Sequence, residues 1–368
     1  MFRRKTALAL AAAIGMVMSA CSKNDTGTII QRESKARRSS STPAPVATPA
    51  PSAPVQSVSL NLKVAHNQTA LDNPYVFGIS AFKEKVEQLS NGSIQATLYN
   101  GTMDQEESGL MKKMQAGEAS IVIVSPSLVT AQNVPEVDVL SLEYLFDSFP
   151  HWASCLDGEF GTELAKIVTQ KTSNNIKILG YWSAGVRNYY GKKAIRKPDD
   201  LKGMTIRISN SPVQQQFWKA CGAIPKDVGW GDLYQALQDG TVDSAENDYT
   251  NFSLKKHHQT KNGHFICETE HDFTTRLMLI DGNFYDSLTA EQKKWIEEAA
   301  QYATQTERRL TFEQLSSSKA QVIADGAEIV ENKDIDIAAF KKIAYPIQDQ
   351  YAKENKMEHF LKLVRDAR

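Results

Sequence analysis

The sequence predicts an α/β protein with two alternating strand–helix segments and one very long helix near its end. Three observations carry this. Residues 58–124 read as strand, helix, strand, helix, strand. Residues 176–246 repeat the alternation with new strands and helices. From Thr289 an apolar stripe at helical spacing runs on to about Ile323, unusually long for a globular helix. Such alternation is the signature of parallel βαβ units.

The elements follow in order. Val58, Leu60, Leu62 and Val64 alternate with polar residues, which predicts a strand ending at Ala65-His66-Asn67-Gln68. Ile79, Phe82, Val86 and Leu89 share a helix face, and Asn91-Gly92 stops it. Ile94, Ala96 and Leu98 alternate as a second strand. A loop at Asn100–Gln105 leads to a helix through Leu110, Met111 and Met114, closed by Gly117. Ile121–Val124 is wholly apolar, as suits a strand buried on both faces. Leu140–Phe149 reads as an aromatic-rich linker, followed by a helix near Glu159–Gln170 and a strand at Ile176–Trp182. Then come a strand at Met204–Ile208, a helix at Pro212–Ala220, a helical face through Trp230, Leu233 and Leu237, and a short strand at Val242–Glu246. His264–Glu268 and Arg276–Ile280 read as two more strands. Thr289 and Gln292 have capping-box spacing at the start of the long helix. A strand at Ala327–Val330 and two terminal helices close the chain.

The N-terminus is a targeting segment. Arg3, Arg4 and Lys5 precede an apolar run, Ala7–Met18, too short for a comfortable membrane span. Met18-Ser19-Ala20-Cys21 is similar to a lipobox, with Met where Leu is usual, so residues 1–20 are expected to be a signal peptide and Cys21 a lipidation site. Residues 21–57 are rich in Ser, Thr, Pro and Ala and predict a disordered tether. Both predict an extracytoplasmic protein held to a membrane.

Composition excludes some functions. Lys plus Arg number 42 against 43 for Asp plus Glu, so nothing points to nucleic acid. Cys155, Cys221 and Cys267 allow at most one disulfide and read as small buried residues. His257, His258, His264 and His271 have no metal-ligand spacing, and no GxSxG, P-loop or GxGxxG motif occurs, so no metal, cofactor or catalytic set is expected. Asp199-Asp200 follow Pro198 in a turn and read as a helix cap.

The candidate site comes from the strand ends. In parallel α/β sheets ligands gather where strands terminate. The residues there are His66-Asn67, Ser125, Arg187, Arg207 to Asn210, and Asn247. Arg207 lies inside the apolar run MTIRIS, where a charge needs a partner. A protein carboxylate, water at a sheet edge, or a ligand carboxylate gripped two-to-two by the guanidinium would each serve.

Four stretches in order carry a family resemblance: NGSIQATLYNGTMDQEESGLMKKMQAGEASIVIVS, GVRNYYGKKAIRKPDDLKGMTIRISNS, WGDLYQALQDGTVDSAEN and SLTAEQKKWIEEAA. From Val58 to the C-terminus the chain resembles the solute-binding proteins of TRAP (tripartite ATP-independent periplasmic) transporters, the C4-dicarboxylate-binding or DctP family. The resemblance implies a periplasmic-binding-protein-like fold. Its two domains are expected at 58–184 plus 273–312 and at 185–272 plus 313–368. The long helix spans both, and the ligand cleft lies between them. It implies Arg207 as the two-pronged carboxylate partner, Arg187 as a second positive contact, and Asn210 and Asn247 as polar contacts. Trp230 would pack on the ligand, and Asn67, Gln105, Glu106 and Ser125 would reach it from the first domain. Asp104 departs from the family, which usually has the Gly of a Leu-Gly pair there. The function implied is capture of a small organic acid for delivery to TRAP membrane subunits, by binding rather than chemistry. A lipoprotein that senses the ligand and signals without transport is the alternative.

Overall fold

The computed structural model describes residues 60–208 and 211–368. The expected signal peptide, Cys21, the tether, Val58 and Asn210 lie outside the described residues. Pro54–Arg368 forms one compact unit.

Nine strands form a single sheet: β1 (Leu60–His66), β2 (Ile94–Asn100), β3 (Ile121–Val124), β4 (Ile176–Gly191), β5 (Thr205–Ile208), β6 (Ile224–Asp227), β7 (Ser244–Asn247), β8 (Phe265–Asp281) and β9 (Glu328–Val330). Their order is β2-β1-β3-β8-β4-β7-β5-β6, with β9 also on β8. The expected parallel units are present, since β1 pairs parallel with β2 and β3, and β5 with β6 and β7. The sheet as a whole is mixed, because β3–β8, β4–β8 and β4–β7 are antiparallel.

Two expectations need correction here. The strand starting at Ile176 does not end at Trp182 but continues through Gly191, and the two strands expected at 264–268 and 276–280 are one. Apolar alternation fails where β4 and β8 leave one core and enter the next, so period-2 reading breaks each strand into pieces. Pairing persists across the gap through register shifts at Ser183/Val186 and Arg187/Tyr189. The aromatic-rich linker is also more ordered than expected. Pro135–Ser141 forms a 3-10 helix and Leu142, Tyr144, Leu145 and Phe146 are buried.

Side-chain alternation sorts the core. Ile121, Ile123, Met278 and Ile280 face one cluster, whereas Val122, Val124, Leu277 and Leu279 face another across the sheet. The far half repeats this: Tyr189 and Cys267 face one cluster, Tyr190 and Ile266 the other. Each half is thus covered by helices on both faces. The helix Pro74–Leu89 starts with the Asn73 side chain accepting from Tyr75 N at 3.0 Å, and buries Ile79, Phe82 and Val86. The terminal helix Glu358–Asp366 returns to the first half through Phe360, Leu361 and Val364.

The long helix is Ala290–Ala324, 35 residues, or about 50 Å at the usual rise. Its capping box is formed: Gln292 N donates to Thr289 Oγ1 at 3.2 Å and Thr289 N to Gln292 Oε1 at 2.9 Å. Ala299, Ala300 and Ala303 let it lie close against the helix Pro74–Leu89, and further along it packs on β4 and the helix Tyr249–Leu254. Cys155, Cys221 and Cys267 are buried free thiols, as their types suggested.

Gly185 marks the bend in β4. Its φ is +81°, and a Cβ there would stand 2.7 Å from Asp248 Cβ. Gly185→Ala meets both backbone strain and a clash, and should cost about 1–3 kcal/mol in denaturant unfolding. Parent-like stability would show that this bend is not fixed by the glycine.

Candidate ligand-binding site

A cavity of about 400 Å³ opens between the two halves of the sheet. It is lined by the ends of β1 and β3 (Asn67, Ser125), by the ends of β5 and β7 (Arg207, Asn247), and by the middles of β4 and β8 (Arg187, Asp272). Gln105, Glu106 and Trp230 complete the residues expected from sequence. Every one of them is brought to this one cavity except His66, which is buried and not part of the lining, and Asn210, which lies outside the described residues.

Arg207 is 6% exposed between buried Ile206 and Ile208. Strand β5 is flanked by β7 and β6, so Arg207 is not at a sheet edge. Its Nε donates to Val228 O at 2.9 Å, and its guanidinium carbon lies 5.9 Å from the Trp230 ring. Among the described residues it forms no ion pair with any carboxylate. Burial pulls its pKa below the usual arginine value, with Glu246 only partly opposing. It remains a cation at any working pH, so a buried positive charge is held with no carboxylate in ion-pair contact among the described residues.

Arg187 is different. Its Nε meets Glu246 Oε2, and its Nη2 donates to Glu246 Oε1 and to Glu246 O, both at 2.8 Å. It lines the cavity, but most of its fork is spent on β7. Burial would raise the Glu246 pKa, yet Arg187 overrides this and holds it at about 2. His271 Nε2 stands 3.5 Å from the same carboxylate.

A third guanidinium was not singled out from sequence. Arg276 lines the cavity, 3.7 Å from Glu107 Oε1, and donates to Thr275 O at 3.2 Å. It sits in the apolar run TTRLMLI as Arg207 sits in MTIRIS, so the same reasoning applied there would have found it. Glu107 also accepts from Ser125 N at 2.9 Å, tying the head of the helix Glu107–Gln115 to the end of β3. Asp104, the departure from the family, accepts from Glu106 N at 3.0 Å and so shapes this loop.

The remaining lining includes neutral polar and aromatic groups as well as the acids Glu106, Asp248 and Asp272. Asn67 Oδ1 accepts from Gln68 Nε2 at 2.9 Å, and Asn247 Oδ1 from Asp248 N at 2.9 Å. Trp230 is half-buried, with its ring against His257 and Lys255 Nζ 5.7 Å from its centre. Burial lowers His66 to about 4 and His257 to about 3, so both are neutral imidazoles beside the cavity. Among the described residues no group of three His, Cys, Asp or Glu side chains is placed to hold a metal ion. The arrangement can recognise an anion and orient hydroxyl or amide groups.

Comparison with known proteins gives one family. The profile of bacterial extracellular solute-binding proteins, family 7 (DctP), matches residues 64–355. A TRAP periplasmic solute-binding protein from Sulfitobacter sp., solved with bound β-D-galacturonate, is similar at TM-score 0.75 and 26% identity, over 83% of this chain and 99% of that one. One from Sulfurospirillum deleyianum, solved with bound succinate, is similar at TM-score 0.74 and 27% identity, over 85% and 100%. The C4-dicarboxylate-binding periplasmic protein DctP of Rhodobacter capsulatus is 24% identical over 302 residues, 82% of this chain and 89% of that protein.

Removing the acid from the buried pair should be severe. Glu246→Ala leaves Arg187 unpaired and should cost about 3–5 kcal/mol. The parent's pH profile should carry the same signature. Because Glu246 titrates lower folded than unfolded, its stabilisation is full above the ordinary carboxylate range and is lost as pH falls toward about 2. Thermal melts of parent and variant from neutral pH downward should converge; parallel curves would refute this role.

Proposed function

The chain belongs to the bacterial extracellular solute-binding proteins of family 7, and from that premise we propose that its central cavity captures a small carboxylate-containing organic acid, which the protein delivers outside the cytoplasm to the membrane subunits of a TRAP transporter. The observation that carries the ligand class is Arg207, a buried guanidinium with no acid beside it among the described residues. The ligand's carboxylate supplies the missing partner in two-pronged contact.

In this reading the lobes are 58–184 plus 273–312 and 185–272 plus 313–368, with the terminal helix reaching back onto the first. The lobes close about the cavity, burying the ligand and shifting an open–closed equilibrium. Asn247, Asn210 and the part of Arg187 not held by Glu246 orient the acid. Trp230 packs against it, and Asn67, Ser125, Gln105 and Glu106 reach it from the first lobe. The role is binding without chemistry. Lipidation at Cys21 would hold the protein at the membrane on its tether.

Arg207→Ala tests the reading. Affinity for carboxylic acids should fall at least about 100-fold, near 3 kcal/mol, in titration calorimetry. The unliganded melting temperature should not fall, because an uncompensated buried charge has been removed. Unchanged affinity for an acid that the parent binds would sink the assignment.

A further inference from the structure

The cavity's charges are arranged unevenly. Three guanidiniums line it, and two already face acids: Arg187 is held by Glu246, and Arg276 lies 3.7 Å from Glu107. That leaves Arg207 as the one lining guanidinium without an acid among the described residues. The cavity therefore offers one place for a ligand carboxylate.

The cavity is also lined by a carboxylate, Asp272, that has no salt bridge among the described residues. Asp272 on β8 lies directly across the sheet from Arg187, lines the cavity and is 9% exposed. Its Oδ2 accepts from the Thr274 hydroxyl at 3.1 Å. Its Oδ1 accepts no hydrogen bond among the described residues. Asp248 is no equal candidate, since both its oxygens are used by Asn251 as the cap of the helix Tyr249–Leu254. Behind Asp272 stands Glu143, a buried carboxyl with neither oxygen hydrogen-bonded among the described residues. Burial, then Asp272 and Glu246, raise the proton affinity of Glu143, while at Asp272 burial and Glu246 act against Arg187 and His271. A second ligand carboxylate brought here would meet like charge in a desolvated place, whereas a hydroxyl or ammonium group would find an acceptor.

We propose that the cavity selects acids with a single carboxylate and hydrogen-bond donors beyond it, and that Asp272 sets this choice by accepting from the ligand and repelling a second carboxylate. The inference rests on the reading of Arg207 given above and narrows its ligand class. Discrimination then comes as much from the penalty placed on the wrong acid as from contacts to the right one.

The test compares four-carbon acids that differ only at the far end. Succinate, 4-hydroxybutanoate and 4-aminobutanoate would be titrated calorimetrically into the full chain, with D-glucuronate as a polyhydroxy acid. At least one donor-bearing acid should bind tenfold or more tightly than succinate. Preference for 4-hydroxybutanoate and glucuronate identifies hydroxyl donors; preference for 4-aminobutanoate identifies ammonium. Asp272→Asn keeps the shape but removes the charge, and should shrink that ratio at least tenfold, chiefly by improving succinate. Succinate binding as well as the donor-bearing acids in the parent, or a ratio unmoved by Asp272→Asn, overturns the proposal. If the variant does not fold, the parent's order of preference alone decides. Succinate preference that still depends on Arg207 overturns this inference and leaves the carboxylate reading standing; binding of none of these acids removes the carboxylate reading and this inference together.

Discussion

The pairing of β4 with β8 is the constraint on which the rest of the structure depends. Both strands run through the two halves of the sheet, and their ladder continues from Ile176↔Asp281 to Gly191↔Phe265. Each half has its own pair of apolar clusters, one on either face. Between them Ala184, Val186 and Phe273 still reach the cores, but the side chains turned to the cavity are mostly polar. The two strands present Ser183, Arg187, Asp272, Thr274 and Thr275 there, and these line the cavity. The site exists where the hydrophobic pattern is interrupted.

That interruption leaves backbone and charge to be satisfied. At the register shift beside Ser183, the freed backbone N–H donates to Glu307 Oε2 of the long helix at 3.0 Å. Thr311 donates its hydroxyl to the other oxygen of Glu307 at 2.9 Å. Burial pushes the Glu307 carboxyl up to about 8, so near neutral pH it is largely uncharged and adds little negative potential beside the cavity. The long helix thus contributes more than packing, since it supplies the acceptor that the bent strand lacks.

The guanidiniums are treated unequally, and the inequality gives the site its chemistry. Arg187 is neutralised within the fold by a carboxylate held at about 2, and Arg276 faces Glu107. Among the described residues Arg207 is anchored through Nε to a carbonyl, with an indole ring nearby. Burying a cation without a counter-ion costs several kcal/mol, and an anionic ligand that relieves this cost binds with the relief added to its contact energy.

The sequence by itself determined the α/β class, the three parallel strands of the first unit and the long capped helix, and it marked Asn67, Ser125, Arg187, Arg207 and Asn247 as strand-end residues, all of which line the cavity. These rest on local rules, namely periodicity, caps, and polar residues at strand ends, and such rules are written in neighbouring residues. The continuity of β4 and β8, the mixed sheet and the return of the terminal helix to the first half were decided only in the tertiary structure, because strand pairing joins residues as far apart in the chain as Ile121 and Ile280. The same holds for the difference between the two arginines singled out at the start. Arg187 and Arg207 look alike in sequence, each at the junction of an apolar run and a polar turn. Only the placement of Glu246 on β7, across from Tyr189, gives one of them an ion-pair partner and leaves the other without one among the described residues.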